Sequence, residues 1–324
     1  MPNSTAPWTA AMLRGDFAAA WATCDDVLAD RLARNEECSD WPRHEQFIWR
    51  GQPFANRRVL IRCYHGMGDT IQFIRFAAPL RRIAREVTVW LQPELLSLIA
   101  TAPGVDRVSA IHDGKPEFLY DVDIESMELA HALRATADSV SSYVPYLFPR
   151  MISRVPNTGG EQLKVGLIWR NDQSTAEHRI PVQALQPLQH IEGIELYSLQ
   201  YPAAADELLA LGAHDLACKE IELLASRMQR LDLILSVDAY TAHLAGAMGL
   251  PVWTLLPADC DWRWMVGRSD TPWYPTMRLF RQAQVGEWSA VMEDVVASLQ
   301  EQVLLSGSGS MRRPATAAGT RMLG

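Results

Sequence analysis

The chain has 324 residues, 48% of them apolar and 21% charged, the make-up of an ordinary globular protein and long enough for two domains of about 150 residues each. Its 30 Lys and Arg against 38 Asp and Glu leave a formal charge of −8. That argues against sequence-independent nucleic-acid binding, which depends on neutralising phosphates with basic side chains, but leaves room for a local basic pocket.

Cys24, Cys38, Cys63, Cys218 and Cys260 are scattered and include no C-x-x-C pair. Neither a disulfide framework nor a structural zinc site is expected, and no other metal site is read from the sequence. The N-terminus has no charged segment leading into a long apolar run, and no apolar stretch approaches the roughly 20 residues needed to span a bilayer. A cytoplasmic location is the default expectation.

Residues 8–36 are Ala-rich with apolar residues at helical spacing, and read as one or two amphipathic helices broken near Gly15 and Asp16. Residues 37–55 read as a polar connector. From Val59 onward strands and helices alternate. Val59–Cys63 reads as a strand and Thr70–Arg85 as a helix. Val87–Leu91 and Arg107–Ile111 read as strands flanking a short helix that ends at Gly104. Phe118–Ile124 and Met127–Leu133 continue the alternation less clearly. Pro149–Gln162, rich in Pro, Gly and polar residues, reads as an interdomain linker.

The rhythm then restarts, with strands at Lys164–Trp169, Ile194–Gln200, Asp232–Val237 and Pro251–Leu256 separated by helical segments. The pattern predicts an α/β protein with two Rossmann-like βαβ domains facing a cleft, and ligands at the carboxyl ends of the strands. The expected division is 1–45 for a helical extension and connector, 46–155 and 156–304 for the two domains, and 305–324 for a disordered tail poor in core-forming residues.

Three stretches carry the chemistry. In "YHGMGDTIQF" (Tyr64–Phe73) a strand leads through Gly66 and Gly68 into a helix with Asp69 at its start. Glycines let a ligand approach the backbone, and a helix N-terminus offers free N–H donors and partial positive charge. Neither a full G-x-G-x-x-G fingerprint nor a Walker lysine is present, and taken alone Asp69 reads first as a helix cap.

In "SVDAYTAHLAGAMGLPVW" (Ser236–Trp253) a strand ends at Asp238 and a helix carrying Tyr240, Thr241 and His243 follows at once. A diphosphate could rest on that helix N-terminus, or His243 could be a packed histidine and Asp238 a cap. Asp259–Gln282 clusters aromatics with arginines. Such a cluster can stack on sugars and bases, or staple a loop to a core.

In this order, "GMGDTIQFIRF", "SVDAYTAHLAGAMGLPVW" and "DWRW…SDTPWYPTMRLFRQ" resemble the heptosyltransferase-like glycosyltransferase family 9. The resemblance covers roughly residues 10 to 300, and "RGDFAAAW" (Arg14–Trp21) resembles the end of the tetratricopeptide repeats that precede this domain in one branch. It implies a GT-B fold, with the acceptor on the N-terminal domain and a nucleotide-diphosphate sugar on the C-terminal one. By that resemblance Asp69 would be the general base, with Gly66 and Gly68 shaping its turn. Asp238, Tyr240, Thr241 and His243 would lie at the donor diphosphate, and no metal or other cofactor is implied.

The chain departs from the family pattern at Ala239, where a threonine is usual, and at Tyr64 and His65, where the repeat-linked branch has an acidic–amide pair. The segment after Trp169 is also shortened, leaving Arg170, His178 or Arg179 to supply a basic phosphate contact.

The function expected is metal-independent, inverting transfer of a sugar to a hydroxyl on a protein or glycan. ADP-heptose is suggested as donor by the resemblance alone, with UDP and GDP sugars open. The alternative is a non-catalytic sugar-nucleotide-binding or scaffold protein, with the N-terminal helices serving a protein partner.

Overall fold

A computed structural model describes residues 5–154, 162–171 and 179–307. The first sheet holds β1 (Arg58–Arg62), β2 (Glu86–Leu91), β3 (Arg107–Ala110) and β4 (Val122–Glu125) in the order β3-β2-β1-β4. The second holds β5 (Leu163–Ile168), β6 (Ile194–Ser198), β7 (His214–Asp215), β8 (Leu233–Val237), β9 (Val252–Leu256) and β10 (Met277–Arg281) in the order β10-β9-β8-β5-β6-β7. Every pairing between these strands is parallel. β8 (LILSV) and β9 (VWTLL) are buried along their whole length, as apolar strands covered on both faces should be. The two parallel sheets and their helices form the expected α/β architecture.

Several elements differ from the sequence reading. The helix expected over Thr70–Arg85 starts earlier and is broken into Met67–Phe73, a 3₁₀ turn at Ile74–Phe76, and Ala77–Arg81. Pro79 accounts for the break, because it has no N–H to donate one turn back. In the expected Phe118–Ile124 region the strand starts only at Val122, and it runs one residue past the region to Glu125. β10 lies inside the aromatic and arginine cluster, and the helix Trp288–Gly307 runs into the region expected to be a disordered tail. The rest of that tail, and residues 155–161 of the expected linker, lie outside the described residues.

The helices Thr5–Leu13 and Phe17–Ala33 divide where expected. Asp16 caps the second by accepting from Ala19 N–H at 3.0 Å, and Gly15 turns the chain at φ +73°. Their apolar face, Ala11, Met12, Phe17, Ala20 and Trp21, is buried against the chain itself. Trp8 meets the edge of Trp262 at 4.8 Å, Val266 N–H donates to Leu13 O, and Trp21 Nε1 donates to Ala135 O at 2.7 Å. The pair thus touches both the segment after β9 and the helices after β4.

The aromatic cluster acts chiefly as a staple. Trp264, Trp273 and Tyr274 are fully buried. Beneath them Arg75, also buried, donates to Val140 O, Trp273 O and Tyr146 Oη, tying the first sheet's helices to the segment before β10. All five cysteines are free, and among the described residues no helix is long and apolar enough to cross a membrane.

Candidate functional site

The carboxyl ends of β1, β5, β6, β8 and β9 open onto one cleft of about 440 Å³. Gly66, Gly68, Asp69, Arg170, Asp238, Tyr240, Thr241 and His243 all line it. Asp261 and Arg263 do too, and sequence reasoning had not selected either. They stood inside a quoted stretch, but nothing in the local pattern distinguishes Arg263 from the neighbouring arginines.

Asp69 is the third residue of its helix, not its cap. Gly66 occupies the capping position, and Asp69 Oδ2 accepts the Gly66 N–H at 3.0 Å. Asp69 Oδ1 pairs with Arg263 Nη2. The Arg263 guanidinium also donates to Asp261 Oδ1 at 2.9 Å and to Gln72 Oε1 at 2.7 Å, and lies over the Trp262 ring at 4.5 Å. Its side chain is only 11% exposed, and a charge so enclosed persists only when paired and hydrogen-bonded.

The helix Tyr240–Ala247 begins two residues after Asp238, with Ala239 as its cap. Asp238 is thus not the cap either. Its carbonyl accepts from Asn171 Nδ2 at 3.1 Å, and burial raises its carboxyl to about 6. His243 Nδ1 and Tyr274 Oη are 2.9 Å apart, the ring stacks on Trp264, and Nε2 lies 4.0 Å from Asp238 Oδ1. Burial, reinforced by Arg263 and Arg75, holds the His243 pKa well below the usual histidine range, so the ring is neutral at neutral pH. His243 is therefore packed in the core and faces the cleft at the same time.

Gly68 lets the two halves meet. A Cβ placed there would stand 3.1 Å from His243 Cδ2 and 3.7 Å from Tyr240 Cα. Thr241 is buried, with its hydroxyl 3.4 Å from Ser236 Oγ. Arg170 reaches the cleft but is bound to Glu207 and the Pro202 carbonyl, while its N–H and that of Trp169 donate to buried Gln200 Oε1. Arg179 does not join the cleft and lines a separate space beside Pro181 and Glu207. His178 lies outside the described residues. Among the described residues no group of three or more His, Cys, Asp or Glu side chains is placed to hold a metal.

No known family profile matches the chain. Protein FlbA of Caulobacter vibrioides is 25% identical over 303 residues, spanning 81% of this chain and 50% of FlbA, so the chain spans about half the length of that curated relative. Solved structures with a similar fold include three bacterial proteins. A glycosyl transferase family 9 protein from Veillonella parvula has a TM-score of 0.56 and 13% identity, covering 79% of this chain and 99% of its own. The E. coli ADP-heptose lipopolysaccharide heptosyltransferase II has a TM-score of 0.53 and 13% identity, with coverage of 77% and 99%. The E. coli heptosyltransferase WaaC, solved with ADP, has a TM-score of 0.50 and 16% identity, with coverage of 79% and 100%. The fold is of the GT-B type found in heptosyltransferases. The tetratricopeptide affinity of the N-terminal helices is not part of what these likenesses show.

Proposed function

We propose that the chain is a glycosyltransferase that moves a sugar from a nucleotide-diphosphate sugar, with ADP-heptose the first donor to try, to a hydroxyl acceptor. The observation that carries this reading is the meeting of Asp69, Arg263, Asp238 and His243 in one cleft between the two sheets. In the reaction, Asp69 takes the proton of the acceptor hydroxyl. The acceptor oxygen bonds to the anomeric carbon from the face opposite the diphosphate, the bond from that carbon to the diphosphate oxygen breaks, and its electron pair leaves with the diphosphate. Inversion follows from that direction of attack.

In this reading Arg263 and the N-terminus of Tyr240–Ala247, which both line the cleft, offset the charge that develops on the leaving group. Neutral His243 supplies no charge and serves as a wall and hydrogen-bonding group. No metal enters this reading, and Ala239 leaves its donor side one hydroxyl short of the family pattern.

A second reading, a nucleotide-sugar-binding protein without turnover, is favoured by one feature: both Asp69 oxygens are already engaged, by Gly66 N–H and Arg263. A melting panel with ADP, UDP, GDP and CDP and their sugar conjugates tests the donor site, because a ligand at 100 times its Kd adds about 2.7 kcal/mol to the folded state. One nucleotide should raise the melting temperature, and Asp238→Ala should abolish the rise. No response to any nucleotide would remove the donor site and the transferase reading with it.

A further inference from the structure

Among the described residues two cationic side chains line the cleft, Arg170 and Arg263. Both are already bound to carboxylates. Arg170 is paired with Glu207 and donates to the Pro202 carbonyl. Arg263 is paired with Asp69 and with Asp261. Asp238 adds a third carboxylate to the same space. A diphosphate entering this cleft meets cations whose charge is already compensated, which weakens its attraction to either. One of the pairs has to open before an arginine can answer the anion.

The geometry favours the Asp69–Arg263 pair. Arg263 Nε donates to Gln72 Oε1 at 2.7 Å and Nη1 to Asp261 Oδ1 at 2.9 Å, with the Trp262 ring 4.5 Å below. Gln72 is itself fully buried. A guanidinium that loses Asp69 at Nη2 is therefore still held at the cleft wall, whereas Arg170 without Glu207 would be left on the Pro202 carbonyl. The turn that carries Asp69 also abuts the helix N-terminus that would receive the diphosphate: a Cβ on Gly68 would stand 3.7 Å from Tyr240 Cα. Finally, Asp69 Oδ2 accepts the Gly66 N–H and Oδ1 is taken by Arg263, so a hydroxyl proton finds both oxygens occupied.

We propose that Arg263 is handed from Asp69 to the donor. A diphosphate oxygen, which brings more negative charge than one carboxylate and forms strong charge-assisted bonds to a guanidinium, displaces Asp69 Oδ1 from Arg263 Nη2. Asp69 then turns its freed oxygen to the acceptor hydroxyl. The donor thereby switches on the base, and deprotonation of the acceptor waits until the donor is seated. This rests on the transferase reading above and gives its steps an order.

Calorimetric titration of the full chain with ADP, or with whichever nucleotide raises the melting temperature most, tests it. Where Asp69 competes with the diphosphate for Arg263, removing it tightens binding. Asp69→Ala should bind the nucleotide about tenfold tighter than the parent or better. Asp69→Asn, whose amide oxygen can still accept from Arg263, should tighten it by no more than about threefold. In an Arg263→Ala background, Asp69→Ala should change the affinity by less than about threefold, because the object of the competition is gone. Where an alanine variant does not fold, Asp69→Ser or Arg263→Gln takes its place with the same expectation. Affinity in Asp69→Ala equal to the parent's or weaker overturns the hand-over. So does equal tightening with and without Arg263, which would mean that Asp69 merely repels the anion. Both results leave the donor site and the transferase reading standing. Absence of binding by every nucleotide removes that reading and the hand-over together.

Discussion

Asp69 and Arg263 form an ion pair between the helix that follows β1 and the segment that follows β9. The pair therefore joins the two sheet units across the cleft. Gln72 and Asp261 complete the guanidinium's partners. Four predictions follow the physics of this junction and its surroundings.

Arg263→Ala leaves Asp69 and Asp261 facing each other in a largely enclosed site. Breaking a buried pair on one side costs about 3 kcal/mol or more. The urea midpoint should fall accordingly, and Arg263→Lys should recover only part of the loss because it lacks the planar fork. A midpoint unchanged in the alanine variant would mean that the pair is solvated and does not hold the junction.

Asp69→Asn preserves shape and can still accept the Gly66 N–H through its amide oxygen. It should leave nucleotide affinity within a few-fold of the parent and reduce sugar transfer by about 10²–10⁴-fold, the usual worth of a positioned proton acceptor. Equal transfer rates in the two proteins would take the base role away from Asp69.

Stability should fall with rising pH between 6.5 and 8. Burial raises Glu125 from its ordinary 4.5 to about 8 and Glu128 to about 7. The folded protein thus keeps protons that the unfolded chain has released, and loses stability as pH rises through those values. His65, His131 and His243 are shifted down from 6.5 and act in the opposite sense; the unfolded histidines are still about half protonated at that pH, so they offset part of the fall near 6.5 and cease to do so by about pH 7.5. Melting temperatures at pH 6.5 and 8 should differ in the parent, and much less in Glu125→Gln. A flat parent profile would show that Glu125 and Glu128 ionise as freely folded as unfolded.

Gly246→Ala should destabilise without touching a polar group. A Cβ there would lie 2.6 Å from the Tyr274 ring, which is fully buried and hydrogen-bonded to His243. Overpacking of this kind costs about 1–3 kcal/mol, and displacement of Tyr274 should also weaken nucleotide binding. Wild-type behaviour in both thermal melting and nucleotide titration would show that the helix and ring can shift apart freely.

The βαβ alternation, the glycines before the first-sheet helix and the strand ending at Asp238 were legible because they are local. Apolar runs of strand length and helical spacing record burial within a few residues of chain. The same locality explains the errors. Asp69 and Asp238 look like caps in sequence, but the caps are Gly66 and Ala239, one turn and one residue away. β10 was obscured because its residues, Met277–Arg281, lie among aromatics and arginines whose partners are distant in the chain.

What sequence determined by itself was therefore the α/β class, the order of the elements and the end of each strand where chemistry would collect. Only tertiary structure decided that Arg263, 194 residues from Asp69, is its partner, that Arg170 is bound to Glu207 and Arg179 lies outside the cleft, and that the N-terminal helices bury their apolar face on this same chain. The physical reason is that hydrophobic periodicity states how much surface an element must bury and not against what. Ion pairs and hydrogen bonds depend on distances of a few ångströms between segments that sequence leaves unconnected.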